Sequence, residues 1–245
     1  KAHGRDACFI YTPEVVEALS AEENAEKLAR TRTLGGLRAL AQAVDARDPS
    51  TLAHSERVAR LAVRLAAELG WASDDCGRLR EAGLLHDVGK IGVPDAVLFK
   101  PGPLTPGEYA QITQHVALGV QIVSEVLDDE QVTWVRQHHE RLDGGGYPDG
   151  VAAADLAEGS MILAAADAWD AMTAPRPYRG PLDLEVAIGE VRAQDGRQFA
   201  PHVVAVMERL VAEGAPEMRA ATMDAPLLAS RLPGGVPQTA EAPPG

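Results

Sequence analysis

The hydrophobic pattern of the chain is clearest between residues 54 and 70, just after an Asp-Pro-Ser-Thr run that supplies a helix stop and a new N-terminal cap. Apolar positions recur there at intervals of three and four residues, the spacing that places side chains on one face of an α-helix. These positions are Val58, Leu61, Leu65 and Leu69, with His54 at the head of the stripe. We therefore predict a helix that ends at Gly70 and turns the imidazole of His54 inward.

Similar patterns predict helices along most of the remaining chain. One begins at a Ser73-Asp74 cap and carries His86, and the others cover about 108–127, 129–140, 158–174, 183–195 and 201–213. Residues 14–46 have a composition that favours helix, which the Gly35-Gly36 pair is expected to break. Only residues 8–11 lean toward a β-strand. The pattern as a whole predicts an all-α domain over about residues 25–213.

Glycine and proline mark the connections between these helices. Residues 100–107 form a loop rich in both, and Gly89 and Gly92 are expected to loosen the backbone before Pro94. The loop at 141–150 contains three consecutive glycines, which indicate a close backbone approach or unusual dihedral angles. The Ala/Pro/Gly-rich composition beyond residue 213 predicts a disordered tail at 214–245.

Composition narrows the class of protein. The 245 residues carry a formal net charge of −13, which disfavours a nucleic-acid duplex or an anionic membrane as the main partner. No apolar run approaches the roughly 20 residues needed to cross a bilayer, so we expect no membrane segment in this chain. The two cysteines match neither a disulfide framework nor a metal-binding spacing, and reduced thiols in a cytoplasmic protein are the default interpretation.

The distribution of histidines carries the candidate chemistry. Six of the seven lie within predicted helices or at their ends, namely His54, His86, His115, His138, His139 and His202. A single histidine is more often a packed or surface residue than a ligand. The adjacent pairs His86-Asp87 and His138-His139 are harder to explain as packed residues, because burying two neighbouring polar side chains without a partner costs free energy.

The His86-Asp87 pair has two interpretations. An imidazole next to a carboxylate can supply two metal bonds from one turn of backbone, and the two carboxylate oxygens can bridge a second ion. The alternative is a simple hydrogen bond at a helix end. Asp167 poses a similar choice, because every neighbour from Met161 to Trp169 is apolar or small. Such a carboxylate must be protonated, bound to a metal or paired with a nearby arginine.

These residues carry a family resemblance. The order His54, His86-Asp87, Asp167 resembles the HD superfamily of metal-dependent phosphohydrolases. His115 and the run HHERLDGGGYPDG at 138–150 resemble its HD-GYP subfamily, whose motif has the form HHERxDGxGYPxG. The blocks LLHDVGKIGVPDAVLFKPGPLT and AADAWDAMTAPRPYRGPL also match. The resemblance covers about residues 44–210 and implies an all-α helical bundle with a glycine-rich GYP loop.

The resemblance also implies a ligand set for two metal ions. His54, His86, Asp87 and Asp167 would hold one ion, and Asp87 would bridge to a second ion held by His115, His138 and His139. Imidazoles and carboxylates suit Fe, Mn or another first-row divalent ion without selecting one. Some family members carry a third metal on a glutamate at the position of Ser50. Because serine is a poor ligand, we predict two ions here.

The resemblance further implies cyclic di-GMP as the substrate. The expected reaction is in-line attack on one phosphodiester by a hydroxide that bridges the two ions, which gives linear pGpG and, more slowly, GMP. Asp87 and Lys90 are the candidate catalytic residues. Lys90 and Arg176 are candidates for the phosphates, with Tyr147 and Arg179 as further substrate contacts. For both arginines the alternative is a solvated loop.

Two other functions stay open at this point. One is a regulatory module that binds cyclic di-GMP or a protein without hydrolysis, although the complete ligand set argues against it. The other is a phosphohydrolase that acts on a different cyclic dinucleotide or nucleotide. The GYP loop favours cyclic di-GMP over the latter.

The N-terminal residues suggest how the domains are arranged. Residues 1–12 resemble the end of a GGDEF domain, which commonly finishes in an alanine-lysine-x-x-glycine-arginine run. Residues 13–46 would then be a helical connector to an HD-GYP domain at 47–213. The chain starts with lysine, so we expect a segment of a longer protein with a GGDEF or sensory domain upstream. A homodimer is left open.

Overall fold

The computed structural model describes residues 13–47, 53–175 and 180–219, and in these ranges it contains helices and no β-strand. The predicted all-α fold is confirmed. The helices are α1 (Pro13–Arg47), α2 (His54–Glu68), α3 (Ser73–Leu85), α4 (Asp95–Leu98), α5 (Pro106–Val123), α6 (Asp129–Gln137), α7 (Glu158–Thr173), α8 (Leu184–Ala193) and α9 (Pro201–Ala212). Short 3-10 turns occur at Val88–Gly92, Ala153–Asp155 and Pro216–Met218.

Helix α2 lies at the centre of the core. Its apolar stripe is buried as predicted except at Leu69, which is partly buried, and Val58 and Leu65 are wholly inaccessible to solvent. The stripe packs against α3 and α7, which contribute Leu79 and Leu163 to the same core. Burying a side chain of this size stabilises the fold by about 1.5–3 kcal/mol. This packing places His54, the first residue of α2, inside the protein.

Helix α1 continues through Gly35-Gly36, so the predicted break is wrong. A glycine in a helix costs about 1 kcal/mol relative to alanine. Leu34 and Ala41, on either side of the pair, are both buried in the core. Their packing and the continuous helical hydrogen bonds outweigh the two glycines.

The helix ends near the polar pairs differ from the predicted ones. Helix α3 begins at Ser73 itself, after Ala72, which has no side-chain cap, so the predicted Ser73-Asp74 cap is wrong. It ends at Leu85, and α6 ends at Gln137. Each polar pair therefore follows the last turn of a helix instead of lying within it. Helix α5 begins at Pro106, earlier than predicted, because Thr105 and Glu108 form a capping box.

The turn after α3 packs closely against α5. A Cβ on Gly89 would lie 1.9 Å from the backbone oxygen of His115 and 2.4 Å from the nitrogen of Gly119. The expectation that Gly89 loosens the backbone is therefore wrong. The missing side chain instead allows two backbones to touch, and this contact brings the end of α3 to α5.

Some sequence predictions fall on residues outside the described ranges. They concern the strand at 8–11, Ser50, Arg176, Arg179 and the tail from residue 220 onward. Residues 214–219, which the predicted tail included, are ordered: Met218 is fully buried and its carbonyl accepts a hydrogen bond from Trp169. In the described ranges, no helix combines the length and the apolar character that a membrane crossing requires.

Candidate metal centre

The start of α2, the turns after α3 and α6, and the middle of α5 bring the candidate ligands together. Residues exposed by no more than 3% meet in one cluster, namely His54, His86, Asp87, His115 and His138. His139 adjoins them, with its ring centroid 4.0 Å from that of His138. Polar side chains with this burial need partners, so the geometry between them decides what the cluster can bind.

Asp87 lies at the centre of the cluster. Its Oδ2 is 3.3 Å from Nε2 of His86 and 3.7 Å from Nε2 of His54. Its Oδ1 is 3.3 Å from Nε2 of His115 and 3.9 Å from Nε2 of His138. The two oxygens of one carboxylate therefore face two different pairs of imidazoles.

The potential ligand atoms form two overlapping groups. In each group, all the atoms lie within 4.8 Å of one another. One group consists of His54, His86 and Asp87, and the other of Asp87, His115, His138 and His139. Asp87 is the member they share. Its role as a bridging ligand stays a prediction.

The buried atoms of the cluster that lack hydrogen bonds are suited to binding a metal ion. Four buried atoms of the cluster have no hydrogen-bond partner among the described residues: Nε2 of His86, Nε2 of His115, Nε2 of His138 and Oδ1 of Asp87. A buried polar atom without a partner costs about 1–3 kcal/mol. Four such atoms facing one another are explained together if divalent cations bind between them.

The Nδ1 atoms of three imidazoles fix how the rings are turned. Nδ1 of His86 lies 2.7 Å from the carbonyl of Gly83, three residues earlier in α3. Nδ1 of His115 and Nδ1 of His138 make the same contact, each 2.6 Å from the carbonyl three residues before it. Because a carbonyl only accepts, Nδ1 carries the proton and Nε2 is left as the ligand.

Burial and neighbouring charges set the protonation states. Burial lowers the pKa of His138 well below its ordinary value and that of His139 to about 4, so both rings are neutral near pH 7. Burial would raise the pKa of Asp87, but the charge of Lys90 and the surrounding imidazoles hold it well below its ordinary value. Neutral imidazoles and an ionised carboxylate are the forms that bind metals.

His54 lies in a more negative environment than the other rings. Burial opposes its protonation, but Asp167, Asp170 and Asp87 outweigh that effect and raise its pKa well above the ordinary value. These carboxylates favour a positive charge at this ring. A metal cation bound to Nε2 would supply a positive charge at the same position.

Helix α7 supplies two of these carboxylates, one helical turn apart. Oδ1 of Asp167 lies 3.3 Å from Nε2 of His54, although Asp167 belongs to neither group of ligand atoms. Its assignment as a ligand stays a prediction. The arginine pair considered for Asp167 occurs at Asp170 instead, which binds Arg57. The sequence prediction assigned no role to Asp170 or Arg57. A signal was present, because Asp170 lies three residues after Asp167 and Arg57 three residues after His54, which places each on the same helix face as a candidate ligand.

Lys90 lies beside the cluster, and its predicted catalytic and phosphate-binding roles stay predictions. Its ammonium donates a hydrogen bond to Oδ2 of Asp87, and its side chain is 24% exposed. The lysine therefore reaches the cluster from the solvent side. Its positive charge keeps the central carboxylate ionised.

A cavity of about 190 Å³ opens beside the cluster. Tyr147 lines it together with His139 and Asp167, and the Tyr147 ring lies 4.7 Å from that of His139. Burial raises the pKa of Tyr147, so its phenol stays protonated as a donor. Tyr109 lines the same cavity from α5 and is 52% exposed. The sequence prediction missed Tyr109, because an isolated tyrosine in a helix carries no distinguishing signal.

The glycine-rich loop is held by backbone contacts, as predicted from its three glycines. Gly144 has a φ of +73°, and a Cβ on Gly146 would lie 2.4 Å from Cα of Glu140. The buried carboxylate of Glu140 accepts hydrogen bonds from the amides of Asp149 and Gly150 at 2.7 and 3.0 Å. Glu140 thus connects the histidine pair to the far end of the loop, a role the sequence prediction did not assign.

His202 does not belong to the site. It is exposed and pairs with Glu158, 3.4 Å away. The candidate substrate residues Arg176 and Arg179 lie outside the described residues, so their roles stay predictions.

Comparisons with known proteins agree with this geometry. Residues 38–203 match the model of the family described as HD domain. The chain is 39% identical over 170 residues to a cyclic di-GMP phosphodiesterase of Thermotoga maritima, covering 68% of this chain and 46% of that protein. It is 39% identical over 175 residues to the 3′3′-cGAMP-specific phosphodiesterase 2 of Vibrio cholerae, covering 69% and 33%.

A solved structure shares the fold. The crystal structure of a cyclic GMP-AMP specific phosphodiesterase of V. cholerae superposes with a TM-score of 0.57 at 19% identity, covering 74% of this chain and 49% of that one. The chain spans less than half the length of each of these relatives. The family match covers most of the described chain and every candidate ligand. The chain therefore belongs to the HD domain family.

Proposed function

We propose that this chain hydrolyses cyclic di-GMP to linear pGpG, with slower cleavage to GMP, using two divalent transition-metal ions. The observation that carries the proposal is the position of Asp87, whose two oxygens face two separate groups of imidazoles. The relative from T. maritima, a cyclic di-GMP phosphodiesterase, supports the substrate.

The proposed ligands divide into two sets that share one residue. The first set is His54, His86, Asp87 and Asp167, and the second is Asp87, His115, His138 and His139. Fe and Mn suit these nitrogen and oxygen donors. When bound, two such ions acidify water and offset the charge of a phosphodiester.

The protein's own residues prepare the site for a phosphate. Lys90 keeps Asp87 ionised and presents its ammonium at the solvent side of the cluster, where it can meet a phosphate oxygen. The backbone carbonyls that contact Nδ1 of His86, His115 and His138 hold the Nε2 atoms of these rings toward the cluster. Such preorganised groups stabilise charge without reorganisation during the reaction.

The cavity next to the cluster can accommodate the nucleoside parts of the substrate. Tyr147 and Tyr109 line it with rings 6.0 Å apart, and Tyr109 is largely exposed. Exposed aromatic rings are stacking surfaces for nucleobases. Arg176 and Arg179, which follow α7 in the sequence, are proposed to bind the phosphates.

A second candidate substrate is 3′3′-cGAMP. The supporting observation is that the V. cholerae phosphodiesterases specific for it are 39–41% identical to this chain. Both dinucleotides present the same 3′,5′-phosphodiester to the cluster and differ in one base. The choice between them therefore depends on contacts with the bases.

The test combines metal analysis with product identification. Protein purified without oxygen and loaded with Fe or Mn is incubated with cyclic di-GMP or 3′3′-cGAMP, and the products are separated by chromatography. We expect pGpG from the wild-type protein and no turnover from Asp87→Ala. Asp74→Asn, which changes an exposed carboxylate on α3, is the matched control and should behave as wild type.

Three outcomes would contradict the proposal or a part of it. Hydrolysis at the wild-type rate by a folded Asp87→Ala protein would show that the metal assignment is wrong. Tight binding of cyclic di-GMP without turnover by the metal-loaded protein would instead support the non-hydrolytic receptor. Cleavage of a different nucleotide alone would keep the phosphohydrolase and change its substrate.

A further inference from the structure

The imidazole of His54 lies between two carboxylates of the same helix. Oδ1 of Asp167 is 3.3 Å from its Nε2, and Oδ2 of Asp170 is 2.7 Å from its Nδ1. The two carboxylates are three residues apart in α7 and therefore project from neighbouring positions on one face. Helix α7 thus contacts both nitrogens of the ring.

This support differs from that of the other buried rings. His86, His115 and His138 each place Nδ1 against the carbonyl of a helical residue three positions earlier in the chain. His54 is the first residue of α2, so no earlier turn of that helix can supply such a carbonyl. Asp170, which is 116 residues away in the sequence, takes its place.

Asp170 is itself held by Arg57. The guanidinium donates from Nε to Oδ1 at 2.5 Å and from Nη2 to Oδ2 at 2.9 Å. This two-point contact fixes the plane of the carboxylate as well as its position. Arg57 lies one helical turn after His54, so α2 provides both the ring and the cation that orients its partner. Asp170 is only 6% exposed, which keeps water from competing for these contacts.

We propose that Asp170 and Arg57 form a positioning pair that turns Nε2 of His54 toward the cluster and so sets the affinity of one of the two ions. The inference rests on the proposed two-ion site. The contacts of the pair lead to His54, a member of the first group of ligands, so its effect should be confined to the ion that His54 binds. Removing a carboxylate behind a metal-binding histidine typically weakens the metal affinity about 10–100-fold.

The experiment measures the dissociation constants of both Mn²⁺ ions by titration of the metal-free protein, for wild type, Asp170→Asn, Asp170→Ala and Arg57→Lys. We expect two binding steps in the wild type. Asp170→Ala should weaken one step about 10–100-fold and leave the other within about twofold. Asp170→Asn keeps an acceptor for Nδ1–H without the charge, so its loss should be smaller. Arg57→Lys keeps the charge without the two-point contact and should also be intermediate.

The matched control is Glu68→Gln at the other end of α2. Glu68 pairs with Arg209 at 2.8 Å but contacts no ligand, so both binding steps should match wild type. A purely structural role of Asp170 would weaken both steps together and lower the melting temperature of the metal-free protein in proportion. That result would overturn the proposed role of the positioning pair and leave the two-ion site standing. Unchanged affinities in Asp170→Ala and Asp170→Asn would have the same consequence. A wild-type protein that binds no Mn²⁺ or Fe²⁺ would overturn the two-ion site as well.

Discussion

Gly89 lies so close to His115 that a Cβ added to Gly89 would be 1.9 Å from the backbone oxygen of His115. This backbone contact joins the turn after α3 to the middle of α5. It also brings Oδ1 of Asp87 within 3.3 Å of the imidazole of His115. The two groups of candidate ligands can meet at Asp87 because Gly89, two positions later, has no side chain to keep the turn away from α5.

We expect Gly89→Ala to separate the turn from α5 and to abolish binding of at least one ion. A distance of 1.9 Å to backbone atoms cannot be relieved by rotating a side chain, so the two segments must move apart. Metal content by mass spectrometry and the melting temperature with a chelator present measure the two effects. Gly107→Ala, in the open first turn of α5, should change neither. A Gly89→Ala protein with full metal content would disprove the role of this contact.

Gly159→Ala should destabilise the fold, although the added methyl group would contact none of the candidate ligands. A Cβ at this position of α7 would lie 2.6 Å from the buried ring of Trp134 on α6. Overpacking of this kind costs about 1–3 kcal/mol. Gly189→Ala in α8 meets no atom within 4 Å and should be neutral or stabilise by about 0.5–1 kcal/mol. Urea unfolding of the two variants tests the difference, and equal free energies of unfolding would contradict it.

Glu140→Ala should loosen the far end of the glycine-rich loop. The substitution leaves the amides of Asp149 and Gly150 without their buried acceptor, which costs about 1–3 kcal/mol. Glu140→Gln keeps an acceptor oxygen and should behave nearly as wild type. Hydrogen exchange at the two amides is the measurement, with faster exchange expected in the alanine variant only. Unchanged exchange in Glu140→Ala would show that the loop is held by other contacts.

Tyr109→Ala should raise KM for the cyclic dinucleotide if the proposed function is correct. The exposed ring beside Tyr147 offers a stacking surface, and stacking contributes about 1–3 kcal/mol per base. We therefore expect KM to rise about fivefold or more with kcat nearly unchanged, while Tyr109→Phe retains the wild-type KM. Initial rates with both candidate substrates provide the test. An unchanged KM in the alanine variant would place the bases elsewhere.

Metal removal should lower the stability of the fold. The unpaired Nε2 atoms of His86, His115 and His138 gain partners when ions bind. A ligand present at 100 times its Kd stabilises the folded state by about 2.7 kcal/mol. The melting temperature should therefore rise with Mn²⁺ concentration from the chelated value. A melting temperature independent of Mn²⁺ would contradict a metal bound in this buried cluster.

The helices and most of the candidate ligands are predictable from the sequence because both depend on local spacing. The apolar stripe after His54 predicts α2 and its burial, and the adjacent pairs His86-Asp87 and His138-His139 indicate a polar cluster without reference to any partner. Local rules fail where packing outweighs propensity. Gly35-Gly36 does not interrupt α1, and Gly89 permits a close contact where flexibility is the local expectation.

The amino-acid sequence by itself determined the all-α class and the kinds of side chain available to the site. The tertiary structure alone decided that the two oxygens of Asp87 face different imidazoles and that Asp170 supports His54. These relationships join helices that are far apart in the sequence. They depend on backbone approaches of a few ångströms, which the periodicity of a single helix does not encode.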